Sequence, residues 1–417
     1  MVFVLGGAQT DFARNFTREG KRMLDLVEES VAATLSACAV DAPDVEVIHV
    51  GNFAAELYTG QGHLGAMVGE AIPALAGTPA SRHEAACASG SMAVLAAMAD
   101  LEAGRYDLAL VLGVEFMRNV SGQECARLLG AAALVPDETR DVKWVWPSVF
   151  ARVGDEYEAR YGLDRAHLVA LARSHFANAQ RNPLAQTRSW TLSDAHFADD
   201  DSPGTRNPRV EGRLRKQDCS QITDGGAAVL LASPRFAEAW ARGRGVPLDR
   251  VARIAGWGHR TARLAFAPKL DQRAQAAGGQ KYIFPEVRRA ITDCYRRAGL
   301  DEQSGPRALD AIECHDCFTT TAYMAIDHIG LTAPGESWRA IEDGRVLSGG
   351  RVPLNPSGGL MGLGHPVGAS GVRMLLDAQR QVTGGAGACQ VEGARRVLTL
   401  NIGGSTTTTA SFLVERD

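Results

Sequence analysis

The chain has 417 residues, too many for one ordinary hydrophobic core, so two domains or one large duplicated domain are expected. Hydrophobic residues make up 45% and charged residues 22%, the balance of a folded globular protein rather than a disordered or fibrous one. Forty-four basic against 48 acidic side chains leave a net charge of −4, which gives no reason to expect nucleic acid or an anionic membrane as partner, and no apolar run approaches the roughly 20 residues that cross a bilayer.

In chain order, MVFVLGGAQTDF opens on a strand-like segment with neither a basic n-region nor a cleavage site. A cytoplasmic protein is therefore expected, with its eight irregularly spaced cysteines as thiols. Apolar residues at helical spacing predict helices over 25–39 and 89–102, and the runs VEVIHV (45–50) and LALVLGV (108–114) predict buried strands. From about Arg118 to Gln217 the composition turns polar, with stretches such as ADDDSPGTRNPRVEGRLRKQ and few strand signals. At about 100 residues that segment is too long for a loop and reads as an inserted lobe. The second half repeats the plan of the first. Helix is predicted over 287–298, strand over 309–314, helix over 370–380 and strand over 397–402. Alternation of this kind argues for an α/β sheet with helices on its faces, and its recurrence for a duplicated βα unit.

Three motifs carry chemistry. Cys87, in HEAACASGSMAVLAAMADL, is followed by small residues and then a helix, so it sits where free N–H groups and the helix dipole favour a thiolate and cradle an oxyanion. The competing reading is a small buried core cysteine. His365 lies in NPSGGLMGLGHPVGASG, whose glycines imply tight turns and close backbone approach. Gly362-x-Gly364 with Gly368 has the wrong spacing for a dinucleotide fingerprint. A histidine on such a turn is placed as a general base toward a cysteine, or else simply bonds its own turn. ECHDCF (313–318) resembles a metal or dithiol motif, yet no second CxxC pair supplies further zinc ligands. Strand geometry sends Cys314 and Asp316 to one face and His315 and Cys317 to the other, so the pair sharing a face is His315 with Cys317 rather than the two cysteines, which favours a catalytic couple over a dithiol. The remaining histidines, His175 among them, have no partner motif and read as surface or core residues.

Cys87 in C-x-S-G, HDCF, and GHPxGASG, in that order, resemble the thiolases over nearly the whole chain. VLGGAQTDF is similar to the family's opening strand, and DCSQITDGGAAVLLAS (218–233) to the segment returning from the inserted lobe. Most thiolases carry Asn-Glu-Ala-Phe where this chain has HDCF, and a second catalytic cysteine in C-x-G where it has Asn401-Ile402-Gly403-Gly404. That exchange is similar to the sterol-carrier-protein-type thiolases, in which the HDCF cysteine takes over acid/base duty.

The resemblance implies a thiolase fold of duplicated βα halves in five αβαβα layers. The first half would cover 1–117 and 219–262, the inserted, coenzyme A-binding lobe 118–218, and the second half 263–417. It implies Cys87, His315, Cys317 and His365 as catalytic residues. One oxyanion site would be formed at His315 and His365, and another at the N–H groups of Cys87 and Gly403. Ser220 would touch the pantetheine arm; Asn401, grouped with it as substrate-binding, cannot shuttle a proton and would pack against or orient a neighbour; and a family histidine lining the site is replaced near Arg152. The expected partners are a 3-oxoacyl-CoA and coenzyme A as substrates, in a homodimer or homotetramer, with no metal, no cofactor, no nucleic acid and no membrane insertion. Thiolytic degradation is the expected reaction. The rivals are biosynthetic condensation of two acetyl-CoA, a carbon–carbon lyase on the same fold, and a non-catalytic acyl-CoA-binding subunit.

Overall fold

In the computed structural model, described for residues 1–270 and 281–417, the two halves meet along a single sheet edge. The strands are β1 (Val2–Gln9), β2 (Val47–Gly51), β3 (Ala80–His83), β4 (Leu108–Glu115), β5 (Arg209–Glu211), β6 (Leu214–Arg215), β7 (Gly225–Ala232), β8 (Ala252–Thr261), β9 (Ala311–Cys314), β10 (Arg396–Gly403) and β11 (Thr408–Glu415). Nine of them form one sheet in the order β3-β2-β4-β7-β1-β8-β11-β10-β9. Each half contains a parallel pair (β2 with β4, β9 with β10), then an antiparallel strand (β7, β11), then the half's own first strand (β1, β8). The halves join where Val2–Val4 pair antiparallel with Ala252–Ile254.

The duplication inferred from pattern is thus present as a strand order mirrored about β1 and β8. It also moves a boundary. The division after residue 262 assigns β8 to the first half, but β8 pairs along its length with β11 and over only three positions with β1. β8 is the counterpart of β1 and opens the second half.

Five layers follow from which faces are apolar. Met23–Cys38 covers the outer face of the first half, burying Leu26, Val27 and Val31 against Leu5, Leu110 and Leu230. Pro285–Arg297 covers β8 and β11 on the far side, burying Val287 and Ile291. Between the halves lie Ser89–Glu102 and Val367–Thr383, joined by Val94, Ala97, Val372 and Leu376 in one core. These two helices nearly touch. A Cβ on Gly90 would come within 2.6 Å of the Gly368 carbonyl oxygen, so glycine is required there for close approach.

The expected helix over 89–102 and the strands over 108–114 and 397–402 are found with ends shifted by at most one residue, whereas the 370–380 helix begins three residues earlier, at Val367 behind Pro366. The polar segment holds two 17-residue helices, Val145–Tyr161 and Arg165–Arg181, and the β5–β6 ribbon. Among the described residues no helix is long and apolar enough to cross a membrane.

Candidate active site

Cys87 occupies a single 3-10 turn, Ala86–Ala88, leading directly into the Ser89–Glu102 helix. Ala86 is left-handed at φ 52°, a conformation that costs an alanine about 1 kcal/mol or more. Hydrogen bonds over-determine it. The Ala86 N–H donates to Glu84 (2.6 Å), and Ser89 Oγ donates to the Ala86 carbonyl (2.6 Å) while accepting from the Ala85 N–H (3.0 Å). The strained turn presents the thiol to a cavity of about 270 Å³. His315, Cys317 and His365 line the same cavity, as do Ser220 and Gly404.

One donor atom each from Cys87, His315 and His365 falls within 4.8 Å of the others. The grouping has metal-like spacing as well as catalytic spacing, but its three donors are what a thiol and two imidazoles in proton-transfer contact also require. His315 follows β9, which ends at Cys314, and the rings of His315 and His365 meet edge-on with centroids 5.2 Å apart. Cys317 comes two residues before the Thr319–Ile329 helix, and its carbonyl accepts from the Ser220 N–H at 2.9 Å beside the isolated bridge between Cys219 and Phe318. Cys314 turns instead into the core. Asp316 accepts from the Leu360 N–H (2.6 Å) and lies 2.8 Å from His175 Nδ1. The side chains of HDCF thus divide as alternation predicts, although the strand has already ended.

The two histidines are held in opposite tautomers. Asn401 Nδ2 donates to His315 Nδ1 (3.1 Å) while Asn401 Oδ1 accepts from Ser91 Oγ (2.8 Å), so the His315 ring proton is on Nε2. Ser370 Oγ donates its one proton to the Pro366 carbonyl (3.0 Å) and is left to accept from His365 Nδ1 (2.8 Å). His365 therefore carries a free lone pair on Nε2. One ring donates and the other accepts.

Burial dominates the electrostatics. It pushes the Cys87 thiol up to about 12, helped by Glu115 and Glu84 and opposed by N–H groups of Gly404 and Cys87 itself. Burial pulls His365 down to about 3, with Asp316 opposing and Arg373 assisting. His315 is lowered well below the ordinary imidazole range by burial, then by His365 and Arg373. Cys317 is raised well above the ordinary thiol range by burial, then by Cys87. The resting site is a set of neutral thiols and neutral imidazoles. The thiolate expected from the helix N-terminus is outweighed by desolvation.

Several expectations need correction. Asn401 does not line the cavity, so its grouping with the substrate-binding residues is dropped, while the neighbour it orients is His315. Gly404, rather than Gly403, lines the cavity and directs its N–H at Cys87; a Cβ on Gly403 would come within 2.1 Å of the Ala85 carbonyl oxygen, which marks it as a packing position. Arg152 faces away, with its guanidinium 4.9 Å from the centroid of the Phe266 ring. Phe150 holds the wall there, stacked 4.9 Å from Phe318. His175, read as an unassigned histidine, is fully buried against Asp316. Sequence gave no signal for that contact, whereas the paired tryptophans of KWVWPS, Trp144 and Trp146, which line the cavity, were visible as a W-x-W pattern.

Residues 2–189 match the family model for the thiolase N-terminal domain, and residues 272–416 the model described as thiolase C-terminal domain-like. The chain is 29% identical over 418 residues to the acetyl-CoA acetyltransferase of Methanothermobacter thermautotrophicus, covering 100% of this chain and 99% of that protein. It is 26% identical to human sterol carrier protein 2 over 408 residues, 96% of this chain and 70% of that protein. Among solved structures, the Ltp2-ChsH2(DUF35) aldolase superposes with a TM-score of 0.76 at 21% identity, covering 100% of this chain and 98% of that one.

Proposed function

The chain belongs to the thiolase family of acyltransferases, and from that premise we propose that it degrades 3-oxoacyl-CoA by thiolysis, giving acetyl-CoA or propionyl-CoA and a shortened acyl-CoA. The observation that carries this reading is the convergence of Cys87, His315 and His365 with Cys317 on one cavity.

In the proposed cycle, His365 Nε2 takes the Cys87 proton and the sulfur attacks the 3-keto carbon. The oxygen of that carbon takes the developing charge, met by the N–H groups of Cys87 and Gly404. The C2–C3 bond then breaks. The departing enolate oxygen lies at the His315 Nε2–H and the protonated His365, and Cys317 donates its proton to the enolate carbon. Cys317, now a thiolate, deprotonates incoming coenzyme A, whose sulfur takes the acyl group from Cys87. The leaving Cys87 thiolate recovers its proton from His365, so every group returns to its starting state. An oxyanion donor of this kind is worth on the order of 3 kcal/mol in the barrier.

In this reading the lobe of residues 118–218, with Ser220 beside it, holds coenzyme A, which is a substrate; no further cofactor is used, and the assembly is a homodimer or homotetramer. The test is thiolysis of a panel of 3-oxoacyl-CoAs by the purified protein and by Cys87→Ala. Unchanged turnover in Cys87→Ala would sink the acyl-enzyme. Formation of acetoacetyl-CoA from two acetyl-CoA is the second reading, favoured by the full-length similarity to an acetyl-CoA acetyltransferase. Sharp loss of activity beyond four-carbon substrates supports it over degradation. The aldolase neighbour favours a lyase only weakly, because an aldol cleavage has no use for an acylated Cys87.

A further inference from the structure

Behind the cavity, the turn from β10 to β11 is gripped by a residue that the proposed chemistry leaves unused. Lys269 is buried, and its Nζ directs three hydrogen bonds at this one turn: to the Ser405 carbonyl (2.6 Å), Ser405 Oγ (2.7 Å) and Thr407 Oγ1 (2.8 Å). Between those two residues Thr406 is left-handed at φ 62°, an unfavourable conformation for a β-branched side chain. Immediately before them, Gly403 is pressed on the Ala85 carbonyl of the nucleophile turn, and Gly404 lines the cavity with its N–H toward the Cys87 sulfur. A strained turn persists only where its surroundings over-determine it, and three bonds from one buried side chain do so here.

We propose that Lys269 is a positioning residue: by holding Ser405 and Thr407 on either side of Thr406, it fixes the Gly404 N–H against the Cys87 sulfur. Burial pushes the Lys269 ammonium down to about 7, with Glu138 opposing. Either protonation state keeps three bonds: the ammonium donates all three, and a neutral amine donates two, one of them to the Ser405 carbonyl, and accepts the third from one of the two hydroxyls.

The test is Lys269→Met, which keeps the stem and removes the donors. With the Gly404 N–H displaced, kcat for thiolysis falls about tenfold or more while KM stays within about twofold. Alkylation of Cys87 by iodoacetamide at fixed pH, mapped by peptide mass spectrometry, slows by a similar factor. Added methylammonium restores part of both in Lys269→Ala. A merely structural lysine would lower the melting temperature without separating kcat from KM and without amine rescue. Wild-type kcat and alkylation rate in a folded Lys269→Met would overturn the proposal. Should Lys269→Met fail to melt cooperatively, Ser405→Ala removes one acceptor and must still slow alkylation; a wild-type rate there overturns it equally. The activity arm rests on the thiolysis reading, but the alkylation arm does not. Absence of thiolysis in the wild type would therefore refute that reading alone.

Discussion

At the scale of single residues, the outcome turns on which of two effects on a thiol is larger. A helix N-terminus lowers a cysteine's pKa, and Cys87 has one; burial raises it, and burial wins. Alkylation of Cys87 in the free protein should therefore be slow at neutral pH and keep rising tenfold per pH unit well past 8.5, the ordinary thiol value. A plateau near pH 7 would show a preformed thiolate instead. In the proposed cycle His365, held neutral, is the acceptor of that proton. Asn401 illustrates what a motif comparison leaves open. It stands where most thiolases have cysteine, and structure gives it the work of fixing the His315 tautomer. Asn401→Ala should lower kcat by about tenfold, as loss of one orienting hydrogen bond does, whereas Cys317→Ala should cost about a hundredfold or more through loss of an acid/base group. Equal losses in the two variants would undo the assignment of acid/base work to Cys317.

At the scale of elements, the site is built where two central helices begin. Ser89–Glu102 follows Cys87 and Val367–Thr383 follows His365, and the two pack against each other with Gly90 on the Gly368 carbonyl. Gly90→Ala sets two effects against each other. Alanine is the better helix former by about 1 kcal/mol, but its Cβ would sit 2.6 Å from a backbone oxygen that cannot rotate away. Overpacking of that kind costs about 1–3 kcal/mol, so net destabilisation and a lower melting temperature are expected. A higher melting temperature would mean that the central layer yields more easily than its contacts indicate. The helices themselves were legible because an apolar stripe at helical spacing is a local signal, and so was the β10 strand. The end of β9 at Cys314 was legible as well, but its start was not: expected at Leu309, it falls at Ala311, and the Asn355 side chain that accepts from the Cys314 N–H at 2.7 Å comes from 41 residues away.

At the scale of the whole molecule, the buried neutral imidazoles link folding to pH. His365 is pulled from 6.5 to about 3, so between those values the unfolded chain binds a proton that the folded chain refuses. Stability then falls as pH drops below 6.5, by up to about 1.4 kcal/mol per pH unit for that one group. Glu115 and Glu313, both raised to about 7 by burial, act in the opposite sense, because the folded state holds their protons more tightly. The measurement is accordingly a difference: thermal melts of the wild type and His365→Gln from pH 7 to pH 4. The wild type should lose ground to the variant throughout that descent, and parallel curves would refute the neutral assignment. From sequence alone came the duplicated α/β plan, the inserted lobe, and the identities of Cys87, His315, Cys317 and His365, because periodicity and short motifs are written in neighbouring residues. Only the tertiary structure decided that β8 opens the second half, that Gly404 rather than Gly403 lines the cavity, that His175 meets Asp316, and that burial lowers both imidazoles. Strand pairing, backbone direction and desolvation are set by residues distant in the chain, and no local pattern encodes them.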